Sequence, residues 1–95
     1  MNIFNFFRKR KDNQLFVELK YGTPNPHNIN EWLDNLPNEV IRRAHLKLMK
    51  LDIIMSPPER ILQSRTLISF FAGHKGFAPK VLKCIRAALV EYENP

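Results

Sequence analysis

The chain has a single cysteine, Cys84, among its 95 residues. It can therefore close no internal disulfide, and it fits a reducing, cytoplasmic compartment. No apolar run approaches the roughly 20 residues that a membrane-spanning helix needs. Only three glycines are present, and none forms a phosphate-cradling loop. There is no H-E-x-x-H motif and no cysteine pair at zinc spacing. His27, His45 and His74 share no helix face, so a metal site would need folding to bring them together. Cys84 could pair with His74 or His45 as nucleophile and base, but a lone cysteine bordering an amphipathic helix is ordinarily inert packing. The expectation is a protein that is not an enzyme and carries no cofactor or metal. No internal repeat, low-complexity tract or domain linker breaks the chain. Its apolar start, Met1 to Phe7, is followed rather than preceded by basic residues, unlike a signal peptide.

What the chain does have is positive charge. Fifteen basic residues against nine acidic ones leave a net charge of +6. That balance favours an anionic partner: nucleic acid, an acidic protein surface or anionic lipid. It is also compatible with a basic protein that binds nothing anionic. The charge is uneven along the sequence: four basic residues against one acidic over 1–12, one against four over 13–40, four against one over 41–52, and six against three over 53–95. The acidic block around Trp32 (Glu31, Asp34, Glu39) could neutralise a basic face within the fold. Hydrophobic content of 44% with 25% charged residues is ordinary for a globular chain. A domain of this length buries roughly 60–65% of its unfolded surface.

The periodicity predicts an all-α fold. The expectation is a small domain of three to four helices organised around a central one over residues 57–72, with an N-terminal arm over 1–22 and the helical domain over 23–95. Ser56-Pro57-Pro58-Glu59 reads as a capping box with proline at the first helical position. Ile61, Leu62, Leu67, Ile68, Phe70 and Phe71 then spread around most of the helical wheel, the pattern of a buried helix. Gly73 or Gly76 can end it in a left-handed conformation. Pro79 opens an amphipathic helix with Val81, Ile85, Ala88, Leu89 and Tyr92 on one side. Leu82 and Cys84 lie at its margins, and Lys80, Lys83 and Arg86 face away.

Upstream, Pro37 opens a helix over about 38–51. Val40, Ile41, Ala44, Leu48 and Leu51 form its core stripe, and Arg43, Lys47 and Lys50 gather opposite. Leu46 and Met49 flank the polar side, an apolar pair beside a basic patch. Asn28 can cap a short helix from Ile29, with Glu31 three residues on, anchored by Trp32, Leu33 and Leu36. Residues 22–28 form a loop. Residues 14–21 alternate like a strand, yet no second strand-like run exists to pair with it. The segment pairs with another chain, extends as an arm or packs as a helix. At the start, Phe4 and Phe7 accompany Arg8, Lys9, Arg10 and Lys11. That stretch packs as a short helix, acts as a partner-binding arm or touches anionic lipid.

Two binding readings follow. In the first, the protein is a small regulator that holds nucleic acid mainly by phosphates, through Arg43, Lys47 and Lys50 on one helix and Lys75, Lys80, Lys83 and Arg86 around the last. A helix-turn-helix-like hairpin is one form of it. Ala72, Gly76, Leu82 and Ile85 fill the motif's small, turn and packing positions, and Phe77 plugs the space between the helices. Gly73 and Lys75 depart from the pattern, and the competing form is a plain helical hairpin. In the second reading, the protein is an adaptor or inhibitor of the compact phage or plasmid type, acting on a host protein. It would make contact through Phe4, Phe7 and Arg8 to Lys11, or through Leu46 and Met49. A homodimer fits either reading, and membrane association is the least expected.

Overall fold

The computed structural model describes residues 17–74 and 78–94. The Phe4 to Lys11 stretch, with Lys75, Gly76 and Phe77 of the hairpin turn, lies outside them. Among the described residues the protein is all helical, as its periodicity predicts: α1 over 17–21, α2 (Ile29–Asp34), α3 (Asn38–Lys50), α4 (Ile61–Gly73) and α5 (Ala78–Glu93).

Among the described residues the core is built on α3 and α5, which share the largest helix–helix interface there. Val40, Ile41, Ala44 and Leu48 of α3 meet Val81, Ile85, Ala88 and Leu89 of α5, all completely buried. Each set recurs at three- and four-residue spacing, so each lies on one helical face. Ile29, Trp32, Leu33 and Leu36 close one end, and Val17 of α1 joins them. The strand-like alternation over 14–21 is therefore helical at 17–21: Val17 is buried and Tyr21 packs against the core, while Leu19 is exposed. Gly22 ends α1 with φ +85°, and the Trp32 Nε1–H donates to its carbonyl oxygen at 3.2 Å. A lone two-stranded pairing would have been marginal, and a helix satisfies its own backbone.

Two features of the expected central helix are corrected. First, α4 begins at Ile61, and no side chain caps it. Ser56 and Pro57 both precede prolines, which disfavours helical backbone at those residues, and the chain turns through a Glu59 N–H to Pro57 carbonyl bond of 2.9 Å. The Ser56 carbonyl instead accepts from Nε2 of His45. Second, α4 is a covering helix. Only Ser64, Ile68 and Ala72 are buried, while Leu62 is 78% and Phe70 66% exposed. Its apolar spread serves a narrow inner stripe and leaves an outer face uncovered.

Smaller expectations change as well. Asn28 does not cap α2. Its side chain accepts from the Asn25 N–H and donates to the Thr23 carbonyl, bracing the loop. Leu51 is outside the core stripe and 59% exposed, because α3 stops at Lys50 and the chain reverses there. The Ile53 N–H bonds to the Leu48 carbonyl and the Asp52 N–H to the Met49 carbonyl, both at 3.0 Å. Asp52 sits between them at φ 58°. This is a Schellman stop with aspartate in the left-handed position usually held by glycine. Gly73 is not left-handed; α4 ends in extended backbone at His74.

Two polar clusters tie the helices together. His45, fully buried on α3, bonds through Nδ1 to the Ser64 hydroxyl at 2.9 Å. A carbonyl oxygen can only accept, so the Ser56 carbonyl places a proton on Nε2. A neutral ring then lets the Ser64 hydroxyl donate to Nδ1. Arg65, on α4, sends its guanidinium back to the Leu33 and Leu36 carbonyls and to Asn38 Oδ1. It thus satisfies the carbonyl end of α2 with a cation.

Candidate functional site

The C-terminal end of α3 lies beside the N-terminal half of α5, and between them opens a cleft of about 590 Å³. Lys47 and Lys50 line it from α3, and Lys80 and Lys83 from α5. Its floor is apolar: Leu51, Ile53, Cys84 and Ala87. The sequence positions these side chains simply. At 100° per residue, Lys80, Lys83, Cys84 and Ala87 share one side of α5. Lys47, Lys50 and Leu51 likewise share one side of α3, and the Asp52 stop folds Ile53 back beneath them.

The seven basic residues singled out in the sequence thus separate. Lys47, Lys50, Lys80 and Lys83 come together. Arg43 lies outside the cleft and its Nε bonds Glu39 at 3.1 Å, four residues back. Arg86 lines a different, smaller depression beside Val17, Glu18, Gly22 and Trp32. Lys75 falls outside the described residues. The expected grouping by helix gives way to a grouping across helices. Of the proposed apolar contacts, Leu46 is exposed and Met49 half-buried; Phe4, Phe7, Arg8, Lys9, Arg10 and Lys11 fall outside the described residues.

Carboxylates offset part of this charge. Lys47 reaches Glu91 across the helix pair at 2.7 Å, whereas Lys50, Lys80 and Lys83 have no carboxylate partner among the described residues. Of the acidic block around Trp32, Glu39 alone engages one of these cations. Asp52, next to two lining residues, is exposed. The Cys84 thiol, 7% exposed on the floor, is pushed up from its ordinary value by burial, with Lys47 and Lys83 pulling the other way. A raised thiol pKa favours the protonated form over the nucleophilic thiolate. No group of three metal-ligating side chains occurs among the described residues, and no described helix is long and apolar enough to cross a membrane.

The cleft thus sets four ammonium groups beside an apolar lining that is partly open to solvent, with Leu51 and Ala87 exposed. Arg65, which sequence reasoning passed over, and His45, weighed there as a ligand or base but bonded here to Ser64 and the Ser56 carbonyl, act on the fold rather than the cleft. Only their positions on otherwise core-facing helix sides could have signalled them. Compared with known proteins, the chain matches no family model, no curated protein and no solved structure.

Proposed function

We propose that the protein is a small non-enzymatic regulator that binds nucleic acid through its phosphates, in the cleft between α3 and α5. One observation carries this reading. Lysines from two helices converge on one cleft, and Lys50, Lys80 and Lys83 have no carboxylate partner among the described residues. Ammonium groups are point charges on flexible stems, suited to phosphates and poor at reading base edges. Binding is accordingly expected to be weakly selective for sequence.

The reading makes a quantitative prediction. Three phosphates neutralised on a duplex give a log–log salt slope of about −2.7, a roughly 40-fold loss of affinity between 50 and 200 mM salt. Fluorescence titration of labelled DNA and RNA at several salt concentrations measures it. The pair Lys50→Glu and Lys83→Glu should weaken binding more than about tenfold at low salt, while Arg86→Glu, outside the cleft, should weaken it less. Unchanged binding by the double variant would overturn the reading.

The apolar floor supports a second reading, an adaptor or inhibitor whose protein partner presents an acidic segment with apolar side chains. Leu51→Ser distinguishes the two. It leaves the lysine rim intact, so it should spare nucleic-acid binding and weaken a protein partner's capture.

A further inference from the structure

The four lysines of the cleft are not equivalent. Lys50, Lys80 and Lys83 have no carboxylate partner among the described residues, whereas Lys47 Nζ lies 2.7 Å from Glu91 Oε1. Among the described residues that is the shortest ion-pair distance; the others are 3.1 Å. It also differs in kind from the Arg43–Glu39 pair, which closes four residues apart within α3. Lys47 and Glu91 are 44 residues apart and bridge α3 to α5.

The helical register puts Glu91 in reach of Lys47. Lys80, Lys83, Cys84 and Ala87 line the cleft from α5, and Glu91 follows four residues beyond Ala87 and seven beyond Cys84. At about 100° per residue it stands on the same side of α5, about 6 Å past Ala87 along the axis. That side carries two ammonium groups, then the apolar lining, then a carboxylate at the end of the cleft. Lys47 and Glu91 both keep contact with water, their side chains 30% and 49% exposed, so either can take another partner without being unburied. On Lys47 the carboxylate holds the place that a phosphate oxygen would take, since both are anionic acceptors for an ammonium donor.

Building on the phosphate-binding reading, we infer that Glu91 is an intramolecular competitor of the anion in this cleft: it withholds Lys47 and confines phosphate contact to Lys50, Lys80 and Lys83. Glu91 is thereby the residue that sets the footprint of the site. Exposed ion pairs are weak, so Glu91 tunes affinity by about two- to fivefold rather than closing the cleft. The salt dependence carries the sharper signature, because each further phosphate neutralised on a duplex steepens the log–log slope by about 0.9.

Fluorescence titration of a labelled DNA duplex with the full chain, between about 50 and 200 mM salt, tests it. Glu91→Gln keeps the shape of the side chain and removes its charge. It should raise affinity about two- to fivefold at the low-salt end and steepen the slope from about −2.7 to about −3.6, the mark of a fourth phosphate contact. Glu39→Gln removes the same charge from a pair outside the cleft and should leave the slope at about −2.7. In a Lys47→Met background Glu91→Gln should no longer steepen the slope, because the ammonium it releases is gone. An unchanged slope in Glu91→Gln, with the Lys50→Glu and Lys83→Glu pair still weakening binding, overturns the inference and leaves the phosphate-binding reading standing. Equal steepening by Glu39→Gln, or steepening that survives Lys47→Met, overturns the inference as well. Wild-type binding that is absent at low salt, or indifferent to the Lys50 and Lys83 pair, overturns both.

Discussion

At the scale of single residues, hydrogen bonds that leave no buried side-chain atom unpaired among the described residues do much of the specifying. The His45 ring is enclosed completely and needs both its partners. Ser64→Ala removes one of them at almost constant volume and strands Nδ1, which should cost about 1–3 kcal/mol in urea unfolding. The same change at half-buried Ser69, whose bond to Asn30 is open to solvent, should stay within about 0.5 kcal/mol. Glu93 makes a different kind of contact. It accepts from the Tyr21 hydroxyl and from Lys20 Nζ at 3.1 Å, joining α1 to the end of α5. Those bonds, the tyrosine's first, hold its carboxyl below the ordinary value of 4.5. A folded pKa below the unfolded one adds stability above about pH 4.5 that is lost as pH falls through the folded value. Glu93→Gln should therefore flatten the acid limb of the stability curve below that pH, measured by thermal unfolding across pH 2–6. Tyr21 runs the other way. Burial first, then Glu93, raises its phenol, so its contribution persists at neutral pH and fades only in strong alkali.

At the scale of helices, the short elements depend on long ones. A six-residue helix such as α2 cannot sustain itself in water, and it is held by its buried Ile29, Trp32 and Leu33 and by the Arg65 guanidinium at its carbonyl end. Arg65→Met keeps much of the stem's packing but leaves the Leu33 and Leu36 carbonyls without their cation. It should cost about 2 kcal/mol, with amide hydrogen exchange quickening in α2 before α3 or α5. Much of this level was legible in advance. The spacing of Val40, Ile41, Ala44 and Leu48 and of Val81, Ile85, Ala88 and Leu89 identified α3, α5 and their facing sides, because buried apolar residues must recur with the helical period. The start of α4 was not legible. Ser56 and Glu59 have the right types and spacing for a capping box, but consecutive prolines stiffen the backbone around them, and a distant histidine claims the Ser56 carbonyl.

At the scale of the whole molecule, the interest lies in how positive charge is distributed. Counting along the sequence assigned Arg43, Lys47 and Lys50 to one face and Lys80, Lys83 and Arg86 to another. Packing α3 against α5 redraws those groups. The rotation of each helix about its own axis decides which lysines meet: Lys47, Lys50, Lys80 and Lys83 share a cleft, while Arg43 and Arg86 do not line it. The salt slope is a prediction at this scale, since it depends on a surface that two helices build together. The apolar spread of Ile61, Leu62, Leu67, Ile68, Phe70 and Phe71 around α4 is visible in the sequence and reads there as burial, whereas Leu62 and Phe70 are exposed. A wheel that is apolar on most sides fits a helix enclosed by its domain and equally one that covers a core with a single face.

The sequence by itself determined the helical class, the inward faces of α3 and α5, the excess of positive charge and the absence of catalytic and metal-binding motifs. These depend on composition and on periods of a few residues. Only the tertiary structure decided which cations converge, which are held by Glu39 and Glu91, and which apolar face remains open. Those outcomes depend on the relative rotation and offset of helices distant in the chain, and local periodicity carries no information about either.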